Sequence, residues 1–316
     1  MELPFNLPEG SRVLVAGAGG GFDVCCALPV ALKLREQGHD VQLANYSFTN
    51  LAAVHGAETE VPQLSCIHKE SRLTEGDYFP EQFLCKWWHD NFAEEKQVWC
   101  YNLVGVRPLT HIFSHLQRTL DLNAVIILDG GVDGLFIGNE FDLATPSMDA
   151  ISIIAASQVD AWTKIYAFTA FGTEGAESAV RHSDALLRIS ELNAQNSFLG
   201  VTALTRRSSI GNAFVSAIEY ANRRLPSEKH SVIAGSVVEA LRGKFGLCSF
   251  NAKTQTAPVW VSPLTSMYWF FELEAVAKAK PYLNEVLESD NVMDVSNAIE
   301  KTRARLGVMP KSDIPI

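Results

Sequence analysis

The stretch RVLVAGAGGGFD at residues 12–23 constrains the fold of this chain more than any other. Residues 12–16 form an apolar run that is too short for a helix and has no polar face, which reads as a strand buried on both sides. Glycines follow at 17, 19, 20 and 21. From residue 24 to 37 apolar side chains recur at helical spacing, and Gly38 supplies a natural stop. Residues 41–44 read as a second strand. Strand, helix and strand in such quick succession make a βαβ unit, which closes by a right-handed crossover onto a parallel pair.

The same grammar recurs downstream. Residues 123–128, Asn-Ala-Val-Ile-Ile-Leu, are the clearest buried strand and end in Asp129-Gly130-Gly131. Thr145-Pro146 then marks the start of a helix over 146–158, with Thr145 at the N-cap and proline at the first helical position. Residues 164–171 predict a strand, 177–192 a helix, and 197–204 a strand. Helices over 210–223 and 231–241, a short strand at 259–261, an aromatic-rich helix over 264–280 and one or two terminal helices complete the chain. Residues 55–75 read as loop. Residues 80–104 read as helix, with Phe83, Trp87, Trp88, Phe92 and Trp99 on or near one face, a pattern of core or interface packing. A helical insert around 80–120 would serve as a lid or as a homo-oligomer contact. The expected fold is α/β, one Rossmann-like domain over residues 1–316 with a doubly wound, mostly parallel sheet.

Composition removes several function classes. The 316 residues carry a net charge of −10, so nucleic acid and anionic membrane surfaces are poor partners. Apolar runs stay short of the roughly 18 residues that a spanning helix requires, and MELPFNLPEG at the start lacks the pattern of a signal peptide. A cytoplasmic setting is expected. The six cysteines form no CxxC pair and show no zinc-ligand spacing with histidine, so they read as small apolar core residues in a reducing compartment.

Two loops carry the candidate chemistry. In the first, Gly17, Gly19, Gly20 and Gly21 allow a tight turn and a close backbone approach, and the following helix start would favour an anion or a ribosyl group. The dinucleotide pattern is only half met, because Phe22 stands where a third glycine or alanine belongs and the second strand ends at Asn45, not at an acidic residue. An NAD(P) or flavin oxidoreductase is therefore the secondary reading. The P-loop lysine and serine are also missing. Asp23 either caps the helix or faces the ligand, by binding a hydroxyl or a metal.

In the second loop four carboxylates, Asp129, Asp133, Glu140 and Asp142, fall within 14 residues, and Asp149 follows. A carboxylate at the end of a buried strand is where open α/β sheets place ligand groups. Such a cluster binds a divalent cation through Asp129 and Asp133, grips hydroxyls together with Gly130, Gly131 and Thr145, or supplies acid and base through Asp129, Asp133 and Glu140. Glu174, after the next strand, joins the ligand-binding set by the same logic. His182 is the histidine chosen for proton transfer. No GxSxG elbow marks a serine hydrolase.

The strand–GxGGGxD–helix opening, the segment LANYSF after the second strand, and the run from DGGVD to TPSMD resemble the family called domain of unknown function 1152. The resemblance extends over most of the chain, including the YWFF run at 268–271. It implies one family-wide domain, found in archaea and bacteria, and brings no activity with it. Where that family favours Gly-Asp-Glu, this chain has Gly138-Asn139-Glu140. Together these readings point to an enzyme, a hydrolase or group transferase, acting on a small phosphorylated or nucleoside-like metabolite. A non-catalytic ligand-binding protein is the alternative.

Overall fold

The computed structural model describes residues 1–57, 61–73, 78–173 and 180–310. Its strands are β1 (Arg12–Gly17), β2 (Asp40–Tyr46), β3 (Leu64–Ile67), β4 (Val98–Tyr101), β5 (Ala124–Gly130), β6 (Thr163–Thr169), β7 (Phe198–Ala203), β8 (Gly246–Cys248), β9 (Val259–Val261) and β10 (Met267–Glu272). Eight of them form one sheet in the order β3-β4-β2-β1-β5-β6-β10-β7, and β8 pairs with β9 apart from it. The run β4-β2-β1-β5-β6 is parallel, and β3, β10 and their pairings are antiparallel.

Strand order reverses at β1. The chain moves outward from β1 to β2 and β4, then returns to lay β5 on the other side of β1. Gly17 is level with Leu128, so the loops leaving β1 and β5 emerge side by side at the carboxyl edge of the sheet. This placement follows from parallel pairing, which puts the ends of neighbouring strands at one edge.

Helices cover both faces. One apolar cluster is built by α1 (Asp23–Cys26), α2 (Leu28–Glu36), α3 (Pro80–Phe92), α7 (Ser209–Asn222) and α8 (Val232–Leu241) against one side of the sheet. The other is built by α4 (Val106–Thr119), α5 (Pro146–Ser157), α6 (His182–Ala194), α10 (Leu273–Lys278) and α12 (Val292–Leu306), with α11 (Leu283–Val286) at its margin; the short α9 (Ala252–Thr256) lies against the 3₁₀ turn Ser227–Lys229. None of the described helices is long and apolar enough to cross a membrane. None of the six cysteines is in a disulfide, and five are buried.

Three expectations are corrected. The helical insert over 80–120 is broken by β4, whose four residues are all buried. A strand with both faces covered has no polar–apolar alternation to betray it. Trp87 and Trp88 then pack on one side of the sheet and Trp99 on the other, so these rings fill the protein's own core. The helix expected over 264–280 is instead β10 followed by α10, for the same reason: Phe270 and Tyr268 join one cluster, Phe271 the other. The loop expected over 55–75 contains β3.

Candidate functional site

The β1 and β5 loops open into one cleft of about 270 Å³. Asp23, Asp129, Asp133 and Asp149 line it together with Gly19, Gly20, Gly130 and Thr145; Phe48, Ala144, Met148 and Ile233 complete the wall. Asp129, Asp133 and Asp149 are buried and Asp23 is partly buried. Strand β5 delivers Asp129, the 3₁₀ turn after it delivers Asp133, and the first turn of α5 delivers Asp149 from the opposite wall.

The first glycine loop does not present its amides to a ligand. Gly19 N–H and Gly20 N–H both donate to Asp23 Oδ2, at 2.7 and 3.1 Å. The helix behind them, α1, has four residues before the chain re-forms as α2. An anion cradle on free amides, the expectation from the glycine spacing, is thus replaced by an internal carboxylate that satisfies the same donors. Asp23 bonds backward into the loop and does not cap its own helix.

The glycines have another use. A Cβ on Gly19 would lie 2.7 Å from Asp149 Oδ1, one on Gly130 would lie 2.6 Å from Asp23 Oδ1, and one on Gly134 would lie 2.6 Å from Asp129 Oδ2. Three of the four carboxylates are therefore packed against bare glycine Cα atoms. Any side chain at these positions forces a carboxylate out of the cluster.

Each carboxylate is anchored by few donors. Asp129 Oδ2 accepts from Gly134 N–H at 3.0 Å and from Tyr166 O–H at 2.9 Å. Asp133 Oδ2 accepts from Thr145 N–H at 2.9 Å. Thr145 occupies the N-cap position of α5 as expected, but its side chain makes no capping bond. Asp149 Oδ1 is left buried with no hydrogen-bond partner. Burial pushes Asp129 up to about 6, against the pull of the Tyr166 hydroxyl and the Gly134 amide. Burial and the charge on Asp129 push Asp133 up to about 7. Asp23 and Asp149 are also raised, by burial first and by neighbouring carboxylates second. Behind the cluster, Lys280 Nζ donates to the carbonyls of Gly134 and Phe136 at 2.5 and 2.6 Å, and burial lowers its ammonium to about 8.

The remaining expected residues lie elsewhere. Glu140 is fully buried and bound by Arg188 Nε at 2.6 Å and by the amides of Ile137 and Gly138, so its place as an acid or base is corrected to that of a structural ion pair. Asn139 Oδ1 accepts from Arg188 as well, at 2.6 Å, which gives the Gly-Asn-Glu variant a structural use. His182 is also corrected: it packs edge-on against Phe171 with ring centroids 5.1 Å apart, away from the cleft. Asn45 is buried in the scaffold, donating to Gly21 O at 2.8 Å and to Glu81 Oε1 at 2.9 Å. Gly17 and Gly21 pack against Asn45 and Tyr78 respectively, and Gly131 is not on the cleft wall. Glu174 lies outside the described residues.

The family model described as protein of unknown function (DUF1152) matches residues 14–306. The chain belongs to this family. No curated protein and no solved structure matches it. In this DUF1152 chain the matched span takes in both cleft loops and Asp149, which the sequence reading kept at the end of the acidic run without an assigned role, and also Glu81, Tyr166 and Lys280, which it did not single out. Two of these had a readable signal. Glu81 and Asp149 each sit in the first turn of a helix that opens with proline.

Proposed function

We propose that this DUF1152 protein is an enzyme, a hydrolase or group transferase, whose active centre is the cleft between the β1 and β5 loops, and that its substrate is a small nucleoside-like or sugar-like metabolite. The observation that carries the reading is the convergence of Asp23, Asp129, Asp133 and Asp149 in one cleft at the strand-order reversal. Doubly wound, Rossmann-like sheets bind ligands at that position, and the parallel β4-β2-β1-β5-β6 run with helices on both faces supports that description of the fold.

Hydroxyl groups suit the floor, since a carboxylate accepts hydrogen bonds from a ribosyl or sugar diol. A bare phosphate does not suit it, because four carboxylates repel it and the loop amides are already taken. The half-exposed Phe48 ring with Met148 and Ile233 offers an apolar wall for a flat group such as a base. Asp133 is the general base by position: it takes the proton of the attacking water or acceptor hydroxyl as that oxygen bonds to the substrate, and the leaving oxygen departs with its bonding pair and regains a proton from solvent. The acidic surface and reducing-type cysteines favour a cytoplasmic setting and a small-molecule partner.

A thermal-shift panel of nucleosides, nucleotides and sugar phosphates tests this, because a ligand that binds the folded state raises its melting temperature. The expected result is a hit that is also turned over, with Asp133→Asn keeping the stabilisation and losing turnover. Stabilisation without turnover in the unaltered protein would make it a binding protein. No hit at all, or full turnover in folded Asp129→Asn and Asp133→Asn, would overturn the reading.

A further inference from the structure

Asp149 Oδ1 is buried, faces the cleft and has no partner. A carboxylate oxygen in that state loses its hydration without replacement, a condition native interiors avoid. Around it the geometry is convergent. One oxygen each from Asp23, Asp129 and Asp149 lie within 4.8 Å of one another. Asp23 and Asp129 direct their Oδ2 atoms to protein donors, Gly19 and Gly20 for the first, Gly134 and Tyr166 for the second. Glycines at 19, 130 and 134 remove the Cβ atoms that would hold the three groups apart.

Like charges this close repel one another, the more so in a buried site. Lys280 offsets some of this from behind, but its described hydrogen bonds go to backbone carbonyls and leave the Asp149 oxygen unpartnered. A cation among the three oxygens resolves both the repulsion and the orphan. Oxygens on one ion stand at most about 4.2 Å apart at magnesium distances and about 4.8 Å apart at calcium distances, and the three oxygens here lie within 4.8 Å of one another. All three donors are carboxylate oxygens, and among the described residues neither imidazole nor thiolate completes the set, so the site selects hard over soft ions.

We propose that Asp23, Asp129 and Asp149 bind one hard divalent cation, of the Mg²⁺, Mn²⁺ or Ca²⁺ class, at the floor of the cleft. This rests on the reading of the cleft as the active centre and deepens it. The ion's outward coordination positions face the opening, where substrate oxygens complete the shell. A phosphoryl group that the bare carboxylates would repel is then admitted with its charge neutralised. Asp133, outside the ligand set, is left free for proton transfer.

The test is calorimetric titration of the whole chain with MgCl₂, MnCl₂ and CaCl₂, with ZnCl₂ as the soft-ion control. One-to-one binding of at least one hard ion is expected, weakened tenfold or more by Asp149→Asn and unchanged by Asp142→Asn. Should Asp149→Asn fail to fold, the unaltered protein answers through Mn²⁺ broadening of amide NMR signals, expected at Gly19, Gly130 and Gly134. No binding at millimolar ion, equal affinity in folded Asp149→Asn, or broadening confined to other sites would overturn the proposal; the first of these outcomes means that the carboxyls hold protons only. Ion binding with no metabolite effect would keep this site and remove the enzyme reading. Metabolite turnover in chelator with no ion bound would do the reverse.

Discussion

Asp149 Oδ1 stands 2.7 Å from where a Cβ on Gly19 would be, so a residue on α5 occupies the space that the β1 loop leaves by having no side chain. The glycine-rich turn is shaped for a carboxylate of the same chain. Gly19→Ala is expected to leave the fold intact, because Gly19 is not in the left-handed backbone region, and to displace Asp149 at a cost of about 1–3 kcal/mol. Chemical denaturation gives the stability loss. Loss of ligand and cation binding in the folded variant gives the displacement, and full binding would show that the contact is unimportant.

Arg188 and Glu140 form the second relationship that separates structure from chemistry. Removing Glu140 takes from Arg188 its fully buried partner and leaves it Glu191 and Asn139, so the cost falls toward the lower end of the roughly 3–5 kcal/mol for a broken buried pair. Glu140→Ala is therefore expected to lower the denaturation midpoint sharply, while the protein that stays folded binds cleft ligands as before. A variant of normal stability with abolished activity would return Glu140 to the catalytic set.

Glu81 supplies a pH dependence away from the cleft floor. Burial raises its carboxyl to about 7, although Asn45 donates to it. In the unfolded chain the group titrates at about 4.5. The folded state therefore holds its proton more tightly, and stability falls as pH rises from 4.5 to 7. The contribution is on the order of 3 kcal/mol, fully present below 4.5 and lost above 7. Glu81→Gln, which mimics the protonated form, should flatten this slope and be relatively more stable at pH 8. Parallel urea titrations at pH 5 and pH 8 measure it, and an unchanged slope would contradict the assignment.

Asp133 is expected to govern rate more than binding. On any substrate that the ligand panel identifies, Asp133→Asn should lower kcat by about 10²–10⁴-fold with KM little changed. A large rise in KM with kcat preserved would recast Asp133 as a binding group.

Much of this was readable in the chain because burial writes itself into short apolar runs. β1, β2 and β5 are such runs, and the glycines and aspartates after them mark the sheet edge where the cleft lies. β4 and β10 escaped because their aromatic residues at successive positions look equally at home in a helix. Glu140 was misplaced because its partner, Arg188, is 48 residues away, and no local pattern separates a paired carboxylate from a free one. Asp149 was read with the acidic run but given no role, for the opposite reason. It sits in a helix, and only the packing of α5 across the cleft reveals that its first turn faces the β1 loop.

The central claim is that the β1 and β5 loops build one ligand-binding centre from carboxylates. It is tested most directly by anomalous diffraction from crystals of the whole chain grown in MnCl₂. The account expects a single strong manganese peak in contact with oxygens of Asp23, Asp129 and Asp149. Ordered side chains with no peak there at saturating manganese, or β1 and β5 loops that do not share a cleft, would contradict it.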